Sequence, residues 1–479
     1  MKISSFQAAV YANVASGCGN TVVCARAGAG KTSTIMGALS SVPAGLTIAL
    51  FAFGKPIAVE LAARAPRGVE VKTLHAHGLS ACKRAFRGLN VNENKTQEIC
   101  VDLFGEAIKG HALRSRYRAI YDLIKMAKDT LVKRGDLEAL DALVDEFGLD
   151  APADAKDRAV YIEAAMLVLA RSAEVTTCVD FADMCWLPFV LDLRVWAFDR
   201  VFVDETQDLS PSQIELLLKC AKPGGRICAV GDDRQAIYGF RGADLKTMPK
   251  LIDRLQATTL PLSITYRCCR AVTALAAREV PDLTPSPTAI EGRVANVGVD
   301  GMIAGSRAGD MIISRSNAPL LAYCLKLLAS GTRAAIKGRD VAEGLVRIVE
   351  SSKAKSVSDL TTWMTAWHKK ECERLAKREK PSDSADDRLA CVLALAEGVK
   401  NVSDVLERVR TLFADDGKGD ASRVNLGTTH KFKGFEADRV WMLEDTYRRN
   451  RGGEEANCWY VAVTRAKNAL YLVSDKDAS

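Results

Sequence analysis

A lysine and a threonine closing a run of small residues are the first feature of the chain with chemistry in it. Thr21-Val22-Val23-Cys24, an apolar strand pattern, runs into Ala25-Arg26-Ala27-Gly28-Ala29-Gly30-Lys31-Thr32-Ser33. Residues without bulk let backbone N–H groups wrap a phosphate chain, and a helix that follows turns its positive end towards the anion. In this pattern Lys31 reaches the β- and γ-phosphates of a nucleotide and the Thr32 hydroxyl ligates Mg²⁺, with Ala27, Gly28, Ala29, Gly30 and Ser33 completing the cradle. Ala25 stands where the usual pattern has its first Gly. A small-residue turn before a helix is the plainer alternative. Strand, loop and helix nevertheless come in the order that phosphate binding requires.

A second metal ligand is expected from an acid at the end of another buried strand. Val201-Phe202-Val203-Asp204-Glu205 supplies it. Asp204 is expected to hold Mg²⁺, directly or through water, and Glu205 to orient and polarise an attacking water. Alone, Asp-Glu after a strand reads as a solvated turn. Beside a phosphate loop it reads as catalysis of nucleoside triphosphate hydrolysis.

The elements that must position these groups are legible as short apolar runs. Thr21–Cys24, Leu46–Phe51, Arg200–Val203 and Ile227–Val230 are almost continuously apolar, as in strands buried on both faces of a parallel sheet. Helical patterns separate them, which defines an α/β class. The expected division is 1–84 with 177–257 as a first α/β core, 85–176 as a helical insertion, 258–340 with 423–479 as a second α/β core, and 341–422 as a small helical insertion. The run Lys369–Lys380 carries acids among its bases and reads as a solvated helix face.

Composition narrows the classes. The 479 residues are 48% hydrophobic and 26% charged, which excludes a disordered chain, a collagen and a coiled-coil rod. The 66 basic and 59 acidic side chains leave +7, which permits a nucleic-acid partner without demanding one. No apolar run reaches the ~18 residues of a membrane helix, and the first residues lack the apolar stretch of a signal peptide. A cytoplasmic location is therefore expected. The fourteen cysteines form no C-x-x-C pair and the five histidines no H-x-x-x-H, so zinc and iron–sulfur spacings are not expected. Most cysteines lie beside Val, Leu or Ala, as small buried hydrophobes do.

Further segments carry a resemblance. Val230-Gly231-Asp232-Asp233-Arg234-Gln235-Ala236-Ile237-Tyr238-Gly239-Phe240-Arg241, Leu262-Ser263-Ile264-Thr265-Tyr266-Arg267, Thr428-Thr429-His430-Lys431-Phe432-Lys433-Gly434-Phe435-Glu436 and Tyr460-Val461-Ala462-Val463-Thr464-Arg465-Ala466-Lys467 follow one another in order. They resemble the motifs of superfamily 1A DNA helicases, the UvrD/PcrA/Rep family, over nearly the whole chain. Ala52–Ala58 and Lys72–His75 look nearest to its F-box DNA helicase and phage-encoded branch.

The resemblance implies two RecA-like motor domains and ATP as the nucleotide. Gln7 then reads the adenine edge, Tyr266 stacks on the base and Glu436 touches the ribose. Gln235 senses the γ-phosphate from the first core, and Arg267 and Arg465 approach it from the second. It also implies single-stranded DNA, and single-strand/duplex junctions, as the track. Phe53, Tyr238 and Phe240 are candidates for base stacking, and Thr73, His75, Thr429 and His430 for phosphate contacts. Phe240 stands where the family often has Trp. Arg241 is expected to couple the nucleotide side to the DNA side. The Asp180–Met184 segment is read as structural support near the DNA.

The expected function is an ATP-dependent single-stranded DNA translocase and helicase moving 3′ to 5′, acting as a monomer in repair, replication or recombination. A translocase that strips proteins from DNA while unwinding weakly is the first alternative, because the 341–422 insertion is short for the family. A nucleotide-controlled DNA-binding scaffold is the second. The chain ends soon after the last motif, so no nuclease domain is expected.

Overall fold

The runs read as buried strands do form strands. The computed structural model describes residues 3–17, 19–105, 111–147, 149, 151–152, 154–239, 246–376, 382–414, 421–448 and 452–474. The chain divides into two compact units, residues 1–26 with 30–262 and residues 27–29 with 263–479.

Unit 1 opens with α1 (Ser5–Ser16), β1 (Thr21–Ala25), α2 (Lys31–Ser40), β2 (Ile48–Ala52), α3 (Lys55–Arg64), β3 (Val69–Thr73) and α4 (Leu74–Ala85). After β4 (Asn90–Val91) come four helices, α5 (Lys95–Phe104), α6 (His111–Thr130), α7 (Leu137–Glu146) and α8 (Ala155–Glu174). The short β5 (Cys178–Val179) pairs with β4 and leads into α9 (Phe181–Val190). The main sheet resumes with β6 (Phe198–Val203), α10 (Pro211–Lys219), β7 (Ala221–Gly231), α11 (Thr247–Leu255) and β8 (Thr258–Leu262). Its order is β3-β2-β6-β7-β1-β8, with every pair parallel. Val22, Val23, Leu50, Val201 and Ala229 are wholly buried in it, as strands covered on both faces must be. The order brings β6, β7 and β1 side by side. The loops leaving their carboxyl ends, where parallel sheets place ligands, are therefore neighbours.

One element differs from the expectation. Thr258–Leu262, read as the start of the second core, is an edge strand of the first sheet. It runs parallel to β1 from Thr21↔Thr258 to Ala25↔Leu262, and Arg26 N donates to Leu262 O at 2.9 Å. An apolar pentapeptide does not name its sheet; pairing decides it.

The helices of 95–174 pack round a core with Leu123, Ile124, Leu140, Ala165 and Val168 at its centre, which also takes in Cys82 of α4 and Met184, Trp186 and Leu187 of α9. An ion network ties it to α9. Asp180 and Asp183 form a capping box at the start of α9. Lys95 Nζ lies 2.7 Å from Asp183, and Lys128 Nζ lies 2.7 Å from Asp180 and 2.8 Å from Asp183. Both lysines are almost completely buried. The Asp180–Met184 segment thus has the supporting role read from the sequence.

Unit 2 begins with β9 (Ile264–Thr265), α12 (Arg270–Ala276) and β10 (Thr284–Pro285), followed by β11 (Arg293–Gly298), α13 (Val299–Gly305), β12 (Met311–Ser314), α14 (Ala318–Ala329) and β13 (Ala334–Lys337). Four helices come next, α15 (Arg339–Ser351), α16 (Val357–Ala376), α17 (Asp383–Ala396) and α18 (Val402–Leu412). The unit closes with β14 (Phe413–Ala414), β15 (Val424–Thr428), α19 (Thr429–Phe432), β16 (Ala437–Leu443), α20 (Gly453–Val463) and β17 (Ala466–Ser474). Its sheet, β11-β17-β16-β12-β15-β13-β14, is also parallel throughout. Here the inserted helices share the sheet's core: Val349, Leu360, Met364, Leu395 and Val405 belong to one cluster with Ile312, Ile336, Val424 and Leu426. The exposed Lys369, Lys370 and Glu373 of α16 form the solvated face expected of that run.

Among the described residues no cysteine is in a disulfide. Burial pushes the thiols of Cys82, Cys100 and Cys324 up to about 12, as suits small core residues. No helix of the described residues is long and apolar enough to cross a membrane.

Removing Asp183 takes the carboxylate partner from the buried Lys95 and one of two from the buried Lys128, which keeps Asp180. Asp183→Ala is expected to lower the unfolding free energy by about 3–5 kcal/mol, read as a fall in the urea midpoint. Glu174→Ala removes only exposed pairs with Arg134 and Arg171 and should leave the midpoint nearly unchanged.

Candidate functional site

The loop from β1 to α2 is shaped by two glycines. Gly28 has φ +71° and Gly30, the N-cap of α2, has φ +78°. L side chains rarely adopt this conformation. The backbone thereby turns sharply, and the free N–H groups of the first turn of α2 open at the loop. Lys31 and Thr32 are the first two residues of that helix.

Lys31 Nζ lies 2.8 Å from Glu205 Oε2. Burial acts to lower its ammonium, but Glu205, Asp204 and Asp232 together hold it above its ordinary value. Asp204 ends β6 and Asp232 follows β7; they are 5% and 0% exposed. Burial, and next the Glu205 carboxylate, pushes Asp204 up to about 7. Asp232 is also raised by burial, against the pull of Lys31 and Arg26. Three acids in a buried space thus share one lysine, with Arg26 at the margin. The Thr32 hydroxyl and the Asp204 carboxylate are hard oxygen donors in a region with surplus negative charge, which fits Mg²⁺.

Glu205 has left-handed backbone, φ 52° and ψ 43°. Such a conformation costs about 1–3 kcal/mol in a non-glycine residue and persists where its surroundings impose it. Here the backbone N donates to Asp204 Oδ1 at 2.9 Å, and Oε2 receives Lys31 and Gln207 Nε2, the latter at 2.6 Å. Gln207 Oε1 in turn accepts from Asp232 N at 2.9 Å. Gln235 Nε2 donates to Asp232 Oδ2 at 2.7 Å, and Arg26 Nη1 lies 3.2 Å from Asp232 and 2.6 Å from Asp233. Arg26 lies inside the quoted phosphate loop and Gln207 two residues beyond the quoted Asp-Glu strand. Neither type nor spacing marks them; only the adjacency of β1, β6 and β7 does.

Gln7 lies next to α2. Its Oε1 accepts from Ser4 N at 3.1 Å and its Nε2 donates to Thr34 Oγ1 at 3.2 Å. A carboxamide has two lone pairs and two N–H groups, so these two bonds use only one of each. Ser33 is exposed at the same helix start.

Unit 2 carries the arginines. Arg267 Nε lies 2.5 Å from Glu436 Oε2, and Lys467 Nζ lies 3.0 Å from the other Glu436 oxygen. Burial acts to raise the Glu436 carboxyl, yet these two cations hold it below its ordinary value. Arg465 is 1% exposed. Its Nε donates to Val461 O at 2.9 Å, Nη1 to Phe435 O at 3.1 Å and Nη2 to Thr464 Oγ1 at 3.3 Å. Among the described residues it forms no ion pair. Burial and the neighbouring Arg267 lower its guanidinium to about 9. This is a desolvated cation held by carbonyls, a site that favours an incoming anion. Tyr266, just after β9, is half-buried.

Of the expected nucleic-acid contacts, Phe53 and Tyr238 come together in unit 1, with ring centroids 6.4 Å apart and planes 8° from parallel. Thr73 caps α4 by accepting from Ala76 N at 3.1 Å, which leaves its O–H to donate. His75 lies edge-on to the exposed Phe181 at 5.9 Å, and burial with the nearby Lys125 lowers its imidazole, keeping it neutral. His430 is half-buried, 3.6 Å from Glu454. Thr429 departs from the expectation: it is wholly buried and its hydroxyl meets Tyr447 Oη at 2.6 Å, so it braces the loop from inside. Phe240 and Arg241 lie outside the described residues.

A phosphate cradle, clustered acids and a second parallel-sheet unit with the buried Arg465 describe a nucleotide-driven two-unit protein. Comparison with known proteins agrees. The UvrD/REP helicase N-terminal domain matches residues 7–256, just over half of the chain, and the UvrD-like helicase C-terminal domain matches residues 335–477. The chain belongs to the UvrD/REP helicase family. It is similar to DNA helicase II of Haemophilus influenzae, 35% identical over 80 residues, which is 17% of this chain and 11% of the relative. It is similar to the putative ATP-dependent DNA helicase YjcD of Bacillus subtilis, 32% identical over 107 residues, 20% of this chain and 14% of the relative. It is also similar to the ATP-dependent DNA helicase PcrA of Staphylococcus aureus, 31% identical over 138 residues, 26% of this chain and 19% of the relative. The chain thus aligns with less than a fifth of each of these relatives.

The acid cluster makes stability depend on pH. The Asp204 carboxyl titrates near 7 in the folded protein and near about 3.9 when unfolded. Folding therefore favours the protonated group. That contribution is complete below the unfolded value and is lost as pH rises through the folded one. Asp204→Asn does not titrate. Without nucleotide or metal, its stability relative to the wild type should rise between pH 5 and pH 8, at up to about 1.4 kcal/mol per pK unit of the shift. Urea unfolding at both pH values reads this; a constant difference would show that Asp204 is already ionised.

Proposed function

We propose that the chain is an ATP-dependent motor that moves 3′ to 5′ along single-stranded DNA and opens duplex DNA at a junction. The observation that carries this reading is Lys31 among Asp204, Glu205 and Asp232 beside a glycine-shaped loop, in a member of the UvrD/REP helicase family. The polarity rests on the likeness of Thr428–Glu436 to the motif of branch A of superfamily 1.

Lys31 is paired with Glu205. When phosphates enter the loop, Lys31 turns to the β- and γ-oxygens and Glu205 is released. The freed carboxylate accepts a proton from water as the water oxygen attacks the γ-phosphorus and the bond to the ADP oxygen breaks. Thr32 and Asp204 hold Mg²⁺, which when bound neutralises charge on the phosphates. Gln235 exchanges its bond to Asp232 for the γ-phosphate. Gln7 reads adenine, Tyr266 stacks on it, and Glu436 meets the ribose. Arg267 and Arg465 bring positive charge to the transferring phosphoryl group, so that nucleotide binding draws the motor domains closed and hydrolysis releases them. Phe53, Tyr238 and Phe240 offer stacking faces, Thr73, His75 and His430 offer donors to phosphates, and Arg241 relays between the two sides. The protein works as a monomer in the cytoplasm, in repair, replication or recombination.

Lys31→Ala should abolish ATPase activity. Glu205→Gln should retain nucleotide binding and lose roughly 10²–10⁴-fold in DNA-stimulated kcat. Arg465→Ala should lose about 10³-fold or more in kcat. Full DNA-stimulated turnover by Glu205→Gln would remove Glu205 from the mechanism. Strand displacement on 3′- and 5′-tailed duplexes tests the direction: opening of the 5′-tailed duplex alone reverses it. ATPase stimulated by single strands, with no duplex opened, favours the protein-stripping translocase.

A further inference from the structure

Away from the nucleotide machinery, α16 and α17 bring three side chains of different donor chemistry to one point. His368 and Cys372 lie four residues apart on α16 and so share a helix face. Asp386 reaches them from α17. His368 Nε2 is 2.6 Å from Asp386 Oδ1 and 3.2 Å from Cys372 Sγ, and the three ligand atoms all lie within 4.8 Å of one another. The second Asp386 oxygen accepts from Ser382 Oγ at 2.7 Å. His368 is one-quarter and Asp386 one-half exposed, so the point is open to solvent.

We propose that His368, Cys372 and Asp386 bind a transition-metal dication, with Zn²⁺ the best match. The donor set decides the class. Imidazole and thiolate favour zinc or cobalt over magnesium and calcium, which take all-oxygen sets. Zinc bonds of about 2.0–2.3 Å in a tetrahedron put neighbouring ligand atoms roughly 3.3–3.7 Å apart. The sulfur–nitrogen pair is already close to this, and the nitrogen–oxygen pair needs only a small side-chain rotation outward. Three protein ligands leave a fourth position for water. On binding, the Cys372 S–H bond breaks, its proton goes to solvent, and the sulfur–metal bond forms. Ser382 acts behind the ligand by fixing the Asp386 carboxylate. The ion pins α16 to α17 within a helical layer that shares the core of the second sheet.

A second trio in the same unit, His430, Glu454 and Cys458, provides the internal comparison. Its nearest separations are wider, 3.6 Å and 3.9 Å, and its cysteine is buried.

The test uses the full-length chain stripped with chelator and titrated with Co²⁺. The expected result is saturation at one equivalent, with the ultraviolet thiolate-to-cobalt charge-transfer band and the visible d–d bands of a tetrahedral ion. Zn²⁺ should displace it and Mg²⁺ should not. Cys372→Ser should lose the charge-transfer band, Cys458→Ser should keep it, and Ser382→Ala should weaken binding about tenfold or more. DNA-stimulated ATPase of Cys372→Ser should match the wild type, which separates this site from the motor. Absence of the band at saturating Co²⁺, or its survival in Cys372→Ser with loss in Cys458→Ser, overturns the proposal and leaves a hydrogen-bonded trio.

Discussion

Two buried carboxylates and the half-buried Glu205, gathered round one lysine, are the constraint from which the first unit is built. Asp204 and Asp232 lie in low-dielectric surroundings where a negative charge is expensive. The fold tolerates them because β6, β7 and β1 are neighbours, so that Lys31 and Arg26 arrive at the same edge from β1 and α2. Glycine at 28 and 30 is needed to bring Lys31 round. The left-handed Glu205 is held in place by Lys31, Gln207 and Asp204 together. Strand order, loop shape and a strained backbone are thus consequences of assembling an acid-rich pocket that becomes fully compensated only with cations and phosphates present.

The second unit inverts this electrostatic problem. Arg465 is a buried cation among carbonyls, and Arg267 is shared with Glu436. The first unit has an acid-rich pocket, and the second a positive group without a carboxylate partner among the described residues. Each half is costly alone, which suits a family whose members are named for ATP-dependent work rather than for passive binding.

Much of this was legible in the chain. The apolar runs at 21–24 and 200–203 placed β1 and β6, and with them Lys31 and Asp204, because a doubly buried strand must be apolar along its length. What escaped was whatever pairing decides. Thr258–Leu262 carries no mark of which sheet it will extend. Lys95 and Asp183 are 88 residues apart and meet only in three dimensions. Thr429 sits in a motif that suggests a DNA contact, yet the hydroxyl of Tyr447, not adjacent in sequence, takes it inward. The mixed pair His368 and Cys372 has no like-pair spacing to mark it, and its third partner comes from another helix.

The two helical insertions are anchored differently. Helices α5–α8 share a hydrophobic cluster with α4 and α9, joined by buried ions but including no strand of the first sheet, whereas α15–α18 have their apolar residues inside the cluster that covers the second sheet. Hydrogen exchange should therefore divide the chain unevenly. The first insertion can open as a subglobal unit while the first sheet stays protected, but the second has no such independence, and its amides should exchange only as its sheet opens. Any motion that uses the second insertion must carry the sheet along with it, as one rigid lever.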